Sequence, residues 1–340
     1  MNNIMVTGAG GYIGTTLIPK LLEKGFNVTA VDRYFFGEEL LPPHPNLAIV
    51  RDDTRRLPQN IFEGVDAVID LVAISNDPSG ELFGDVTYEI NRDSRIRTAH
   101  LAKANGVQRY ILPSSCSIYG FLEDSVIADE NSPTNPLTTY AKANLQAEQG
   151  VLPLASEEFV VVVLRQSTVY GYSPRMRFDL AINGMTHGAW FTRKLPLMRD
   201  GNQWRPMVHV SDTADAQLLM LTADPNLING EIFNVGSKEN NYRLKDLAEK
   251  VASVVGKDVV QEWYGDPDHR SYRVNFDKIE KLGFNAKFTA ENGAQEILQR
   301  LEDGTLQMHD KTITLNWYKN LVEWQKIIQK TEMYDGMLNI

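Results

Sequence analysis

The stretch Thr7-Gly8-Ala9-Gly10-Gly11-Tyr12-Ile13-Gly14 follows the apolar run Ile4-Met5-Val6 and precedes Leu17, Ile18, Leu21 and Leu22 at helical spacing. A strand that feeds a helix through such a turn opens a βαβ unit, and a phosphate fits the helix N-terminus it creates. Gly8 permits the tight turn, Gly11 lets the backbone approach a pyrophosphate, and Gly14 lets the helix pack closely on the sheet. Parallel strands need long crossovers, so helices must alternate with strands downstream.

They do. Apolar, β-branched runs at 4–7, 27–32, 47–50, 67–73, 109–115 and 159–165 read as buried parallel strands. A helix is expected over 92–105, closed by Gly106, and another after Pro136 carrying Tyr140, Ala141, Leu145 and Ala147. Beyond about residue 171 the alternation loosens at Pro174, Gly184, Gly188 and Pro196. The segments 208–210 and 232–234 read as returns to the sheet, and 313–328 as a packed terminal helix. The expected architecture is α/β: a doubly wound parallel sheet over 1–170 with a return segment near 207–236. A smaller, discontinuous C-terminal lobe spans 171–206 and 237–312, followed by a helical tail at 313–340.

A net charge of −10 opposes phosphate backbones and anionic lipid, which argues against nucleic-acid and membrane-surface partners. Any anionic ligand must then meet local cations. One cysteine, Cys116, allows neither an internal disulfide nor a cysteine-based zinc cluster, and six scattered histidines lack ligand spacing, so no metal is expected. The apolar strand begins at once, without a basic stretch and long apolar core before it, which reads as a cytoplasmic protein without a secretory signal.

Asp32 closes the second strand eighteen residues after Gly14, where a carboxylate accepts hydrogen bonds from an adenosine ribose. That favours NAD over NADP, although the neighbouring Arg33 could pair with a 2′-phosphate.

The spacing Gly8-Gly11-Gly14 resembles that of the extended short-chain dehydrogenase/reductases, the NAD-dependent epimerase/dehydratases, and the likeness extends over roughly residues 1–300. It implies a Rossmann-type domain, a nucleotide-sugar substrate and a homodimer formed through helices at 92–105 and 138–155. Within it Asp53 looks like the adenine-contacting acid, and Leu71-Val72-Ala73 like the loop beside the pyrophosphate and ribose. Tyr12 and Ile13 join Gly8, Gly11, Gly14, Asp32 and Arg33 in the cofactor set. Ser115, in Ser114-Ser115-Cys116-Ser117-Ile118-Tyr119-Gly120, takes the place of the catalytic serine or threonine, and Tyr140 that of the catalytic tyrosine. The family pattern Tyr-x-x-x-Lys is broken, because Asn144 stands where lysine would hold the nicotinamide ribose and lower the tyrosine pKa. Lys142 points to nearly the opposite helix face. Introducing lysine at 144 is expected to speed turnover.

The same resemblance implies hydride transfer from a sugar carbinol to NAD, with Tyr140 as base and Ser115 sharing the reacting hydroxyl. Family dehydratases carry an acid just after the serine, where this chain has Cys116 and Ser117, so epimerisation or net oxidation or reduction is expected instead. Thr168-Val169-Tyr170-Gly171-Tyr172-Ser173-Pro174-Arg175-Met176-Arg177 resembles a subgroup linked to bacterial surface polysaccharides that includes GDP-heptose 4-dehydrogenases. Arg205 and Arg270 match family arginines suited to a diphosphate, with Thr168, Arg175, Arg177 and Asn183 as further substrate candidates. Asn144 keeps a second reading open: a member that binds NAD(H) or a nucleotide sugar without turnover, as a sensor or partner protein.

Overall fold

A computed structural model describes residues 1–256, 258–266 and 270–331. The strands are β1 (Asn3–Thr7), β2 (Asn27–Asp32), β3 (Leu47–Arg51), β4 (Ala67–Asp70), β5 (Arg109–Ser115), β6 (Ile127–Ala128) and β7 (Val160–Gln166). They continue with β8 (Thr168–Tyr170), β9 (Lys194–Met198), β10 (Trp204–His209), β11 (Glu231–Val235), β12 (Asn241–Arg243), β13 (Val260–Tyr264) and β14 (Arg273–Val274). The first helices are α1 (Gly14–Glu23), α2 (Asp77–Leu82), α3 (Gly84–Tyr88), α4 (Arg95–Ala104), α5 (Thr139–Val151) and α6 (Ala181–Thr192). The remainder are α7 (Val210–Thr222), α8 (Pro225–Ile228), α9 (Leu244–Val255), α10 (Asp277–Glu280), α11 (Ala290–Glu302) and α12 (Thr314–Thr331).

Seven parallel strands form one sheet in the order β11-β7-β5-β4-β1-β2-β3. The order reverses between β1 and β4, and ligands of such sheets bind in the crevice at that reversal, beyond the carboxyl ends of the strands. Burial explains the composition: β7 is Val-Val-Val-Val-Leu-Arg-Gln and every residue of it is buried. Separate apolar layers cover the two faces, one through Leu17, Ile18 and Ala216, the other through Ala99, Ala102 and Ala147.

Three expectations change. β4 ends at Asp70, so Leu71-Val72-Ala73 is a crossing loop and not strand. Residues 204–209 pair with β8 and β12 in a small second sheet, and only β11 returns to the large one, because β10 is already parallel to β8. The helix expected at 92–105 begins earlier: a π-helical stretch, Glu89–Ser94, leads into α4. The terminal helix is present as α12, and the tail's last residues, 332–340, lie outside the described residues. No helix among the described residues is long and apolar enough to cross a membrane.

Candidate active site

The glycine turn sits at the sheet's reversal point. Gly8 has φ +67, and a Cβ there would stand 2.7 Å from the backbone of Leu71 and Val72, so the β1 and β4 loops touch without side chains between them. At Gly14 a Cβ would run into the Ala9 carbonyl. Gly11 has only the Gly8 carbonyl near it, at 3.0 Å, which leaves its outer side open. α1 starts at Ile13 without a side-chain cap and without an acid in its first turn, so its leading N–H groups suit an anion.

Asp32 closes the other side of this turn, accepting from the N–H of Gly10 at 3.0 Å and of Tyr34 at 2.7 Å. Burial pushes its carboxyl pKa up, and those N–H bonds pull against the shift. Arg33 turns away and gives Nη1 to Asp53 at 2.9 Å, with its guanidinium 4.6 Å over Phe35. It is therefore engaged elsewhere, and no arginine pairs with the Asp32 carboxylate among the described hydrogen bonds, an arrangement that suits NAD better than NADP. Asp53 also binds Arg55 through Nη2 at 2.7 Å, and the Arg55 hydrogen bonds hold its carboxyl at about 2. Tyr12 contributes only backbone here: its hydroxyl donates to the Gly171 carbonyl at 2.5 Å and accepts from Asn183 at 3.0 Å. Ile13 is half-buried in the same turn.

Arg175 arrives at this turn from the other lobe. Its N–H donates to Thr15 Oγ1 at 3.4 Å, its guanidinium lies 3.7 Å from the Phe36 ring centre, and Nη2 donates to Thr314 at 2.9 Å. The side chain is buried, and its Nε and Nη1 have no hydrogen-bond partner among the described residues. Burial of the charge lowers its pKa to about 10. A buried guanidinium with two free donors beside an uncapped helix N-terminus fits a pyrophosphate, so the residues present suit a dinucleotide. α12 closes this edge: Trp317 Nε1 donates to the Phe35 carbonyl at 2.7 Å, and the Tyr318 ring packs against Phe35, Phe36 and Phe83.

The candidate reacting groups stand one strand further along. Ser115 ends β5 and accepts from the N–H of Ser117 at 3.1 Å, and Tyr140 opens α5 two residues after the capping Thr138. Burial raises the Tyr140 pKa, while hydrogen bonds from Ser115 and Asn144 and the charges of Arg95 and Arg177 pull it down. Asn144 is buried and Lys142 exposed, as the helix phase requires. Cys116 is buried against the Arg165 carbonyl at 3.2 Å, and burial raises its thiol pKa.

The second small sheet carries Arg205, which meets the other candidate substrate arginine, Arg270, through the latter's carbonyl. Arg205 on β10 gives Nη1 to the Trp204 carbonyl at 2.8 Å and to the Arg270 carbonyl, with the Tyr272 ring beneath at 5.4 Å. Arg270 pairs through Nη1 with Asp77 Oδ2 at the start of α2, and Thr138 bonds Asp77 Oδ1 at 2.6 Å. Residues 267–269 of the expected Arg270 segment lie outside the described residues. Thr168 is half-buried in β8 beside β10. Asn183 is fully committed inside the fold, accepting from Gly171 N–H at 2.9 Å and donating to the Arg177 carbonyl at 2.8 Å. That places it under the site and not facing a substrate. A separate cavity of about 440 Å³ at the opposite strand ends, lined by Met1, Phe26 and Arg109, contains none of these residues.

Arg177 is held by Asp179 (Nη2 to Oδ2, 2.7 Å) and by Ser75 (3.0 Å). Burial pushes the Asp179 carboxyl up, but Arg177 more than offsets it and leaves the pKa at about 2, below the ordinary 3.8. A depressed folded pKa contributes stability that is complete above the unfolded value and lost as pH falls through the folded one. Asp179→Asn is therefore expected to lower the melting temperature at neutral pH, with the difference from the parent closing as pH falls from about 4 to about 2. A pH-independent difference in thermal melts would contradict this pairing.

Sequence reasoning missed Arg95, Asp70, Glu148 and Asp179. Arg95 lies in register with Ala99 and Ala102 on the buried stripe of α4, and Glu148 continues the Tyr140–Asn144 row by one more turn. A charge on an apolar stripe was the available signal.

Residues 4–236 match the family model described as NAD dependent epimerase/dehydratase family. The chain is similar to an uncharacterized UDP-glucose epimerase, YtcB, of Bacillus subtilis (strain 168), 30% identical over 258 residues, covering 71% of this chain and 79% of that protein. It is 26% identical over 291 residues to UDP-arabinose 4-epimerase 1 of Arabidopsis thaliana, covering 76% of this chain and 68% of the other. Among solved structures, UDP-glucose 4-epimerase of Thermotoga maritima with UDP-glucose superposes with a TM-score of 0.80 at 21% identity, covering 89% of this chain and 100% of that one. With its glycine turn, its serine and its tyrosine in this arrangement, the chain belongs to the NAD dependent epimerase/dehydratase family.

Proposed function

We propose that this protein is an NAD-dependent nucleoside-diphosphate-sugar 4-epimerase or 4-dehydrogenase. The observation that carries the reading is that Ser115 lies against Tyr140 at the start of α5, while Arg270, whose carbonyl accepts from Arg205, pairs with Asp77, which also accepts from the capping Thr138 two residues before Tyr140. Its relatives' names point to UDP-sugars, and the resemblance of the segment 168–177 adds GDP-heptoses to the substrates worth offering. The arginines bind the substrate's diphosphate and Ser115 orients a sugar hydroxyl toward Tyr140. As phenolate, Tyr140 takes that hydroxyl's proton while the C–H bond on the same carbon breaks. The chemistry that NAD would supply when bound is a hydride acceptor for that carbon and a hydride source for the reverse step. Return to the other face of the ketosugar gives the epimer; release of the ketosugar gives net oxidation. A homodimer through α4 and α5, which pack side by side, belongs to the same reading.

The test is to identify nucleotides released on denaturing the purified protein, then follow NADH absorbance and sugar products with a panel of UDP- and GDP-sugars. Sugar-dependent NADH means a dehydrogenase, and an isomerised sugar without net NADH means an epimerase. Cofactor release with every sugar unchanged would replace this reading with that of a cofactor-binding sensor.

Arg205→Met and Arg270→Met test the diphosphate role. Loss of a charge-assisted hydrogen bond predicts a KM for the nucleotide sugar raised by about ten-fold or more, with kcat less affected. Steady-state kinetics with unchanged KM in both variants would remove the arginines from the site.

A further inference from the structure

Arg95 lies directly behind Asn144. It is buried, and its Nη1 donates to Asn144 Oδ1 at 3.0 Å. Its Nη2 donates to the Asp70 carbonyl at 2.9 Å and to the Pro113 carbonyl, at the carboxyl ends of β4 and β5. Its Nε lies 3.7 Å from Asp70 Oδ2 and makes no hydrogen bond. Asp70 is itself occupied, accepting from Thr7 at 2.5 Å and from the Tyr110 hydroxyl.

This arrangement settles which way the Asn144 amide points. A guanidinium can only donate, so Oδ1 must face Arg95 and the NH2 must face the opposite way, toward Tyr140. There Nδ2 donates to the Tyr140 carbonyl at 2.9 Å. The outcome is a neutral amide whose NH2 lies against Tyr140, bonded to its main-chain carbonyl and close enough to its hydroxyl to favour the phenolate, with the Arg95 guanidinium, which faces Asp70 at 3.7 Å, behind it.

We infer that Arg95 and Asn144 together replace the single lysine of the Tyr-x-x-x-Lys pattern, Asn144 as the N–H donor toward the reacting site and Arg95 as the positioning residue that orients it and supplies its charge. The inference rests on the proposed NAD-dependent chemistry and deepens it. An asparagine is too short and neutral to do both tasks, and an arginine held from the neighbouring helix supplies what is missing. The Tyr140 environment agrees: Arg95 is among the groups that favour its phenolate. Arg95 itself faces Asp70 at 3.7 Å, and the other charges around Tyr140 are paired more closely, Arg177 with Asp179 and Arg270 with Asp77, while Glu81 accepts from Thr139 N–H at 2.7 Å.

The arrangement reverses one expectation. Asn144→Lys alone places an ammonium against the Arg95 guanidinium in a buried space, and is expected to lower stability without a gain in turnover. Lysine at 144 becomes useful only when Arg95 is removed as well.

The experiment measures NAD and ADP binding to the purified full-length protein by titration calorimetry, because ADP lacks the nicotinamide ribose that the amide would hold. Arg95→Met and Asn144→Leu are each expected to weaken NAD about ten-fold and leave ADP unchanged. Arg95→Lys, which keeps a charged donor, and the double variant Arg95→Met/Asn144→Lys are expected to recover most of the loss. Asn144→Leu leaves the Arg95–Asp70 contact in place and covers the case in which Arg95→Met does not fold. In turnover assays the rising limb of activity, which follows ionisation of Tyr140, is expected to move up by about one pH unit in Arg95→Met and to return in Arg95→Lys. Equal losses for NAD and ADP, or none in either variant, would overturn the relay while leaving the proposed function standing. A parent protein that binds no NAD would remove the proposed function itself.

Discussion

Replacing Glu148 by leucine is expected to lower the unfolding free energy by about 3–5 kcal/mol, the largest stability effect of any single change around the site. Glu148 projects from α5 into the sheet, where Arg165 of β7 meets it through Nη2 at 2.8 Å and Nε at 3.2 Å. Ser114 of β5 donates to Glu148 Oε1 at 2.5 Å, and Arg165 Nη1 continues to the Tyr119 hydroxyl at 3.1 Å. Both charged side chains are almost wholly buried, at 5% and 2% exposure. Leucine fills the space but leaves the guanidinium without its counter-ion, and an uncompensated buried charge is far more costly than the pair is beneficial. Glu148→Leu combined with Arg165→Met is expected to recover much of the loss. Urea unfolding midpoints measure it, and a single-variant loss below about 1 kcal/mol would mean that water reaches Arg165. Because Tyr140, Asn144 and Glu148 occupy successive turns of one helix face, this ion pair also sets how deep α5 sits.

Tyr140→Phe is expected to lower kcat by about 10²–10⁴-fold while NAD content and thermal stability stay near those of the parent. The change removes one oxygen from a half-buried side chain and leaves the rest of the ring in place. Only proton transfer is lost. Ser115 and the arginines remain to bind and orient the sugar, so KM is expected to move little. Turnover at saturating nucleotide sugar, measured with NAD occupancy of the same preparation, provides the check. Retained turnover would move the base to another group, and loss of bound NAD would make Tyr140 a cofactor anchor instead.

Much of the cofactor side is legible along the chain, because its requirements are local. A tight turn, a close helix and an acid at a strand end each demand a particular residue at a particular spacing, and Gly8, Gly14 and Asp32 meet those demands within one βαβ unit. The proposed catalytic pair is read through resemblance, since Ser115 and Tyr140 come from separate elements whose meeting no periodicity reveals. Arg175 and Asn183, read together as substrate residues, have parted. Arg175 lies by the glycine turn with two buried N–H groups unsatisfied among the described residues, and Asn183 is consumed by Tyr12, Gly171 and Arg177. One short stretch of chain carries both, and nothing along it tells an unsatisfied donor from a satisfied one.

What the amino-acid sequence determined by itself was the alternation of strand and helix, the glycine turn and the helical phase of Tyr140, Lys142 and Asn144. Those properties follow from steric limits and from burial periodicity within a single element. The tertiary structure alone decided what lies behind Asn144. Arg95 is separated from it by 49 residues and reaches it across α4 and α5. The direction of an amide, the partner of a buried charge and the donors left open for a ligand depend on contacts between elements, because hydrogen bonds and buried charges are satisfied by whichever groups the fold brings within about 3 Å.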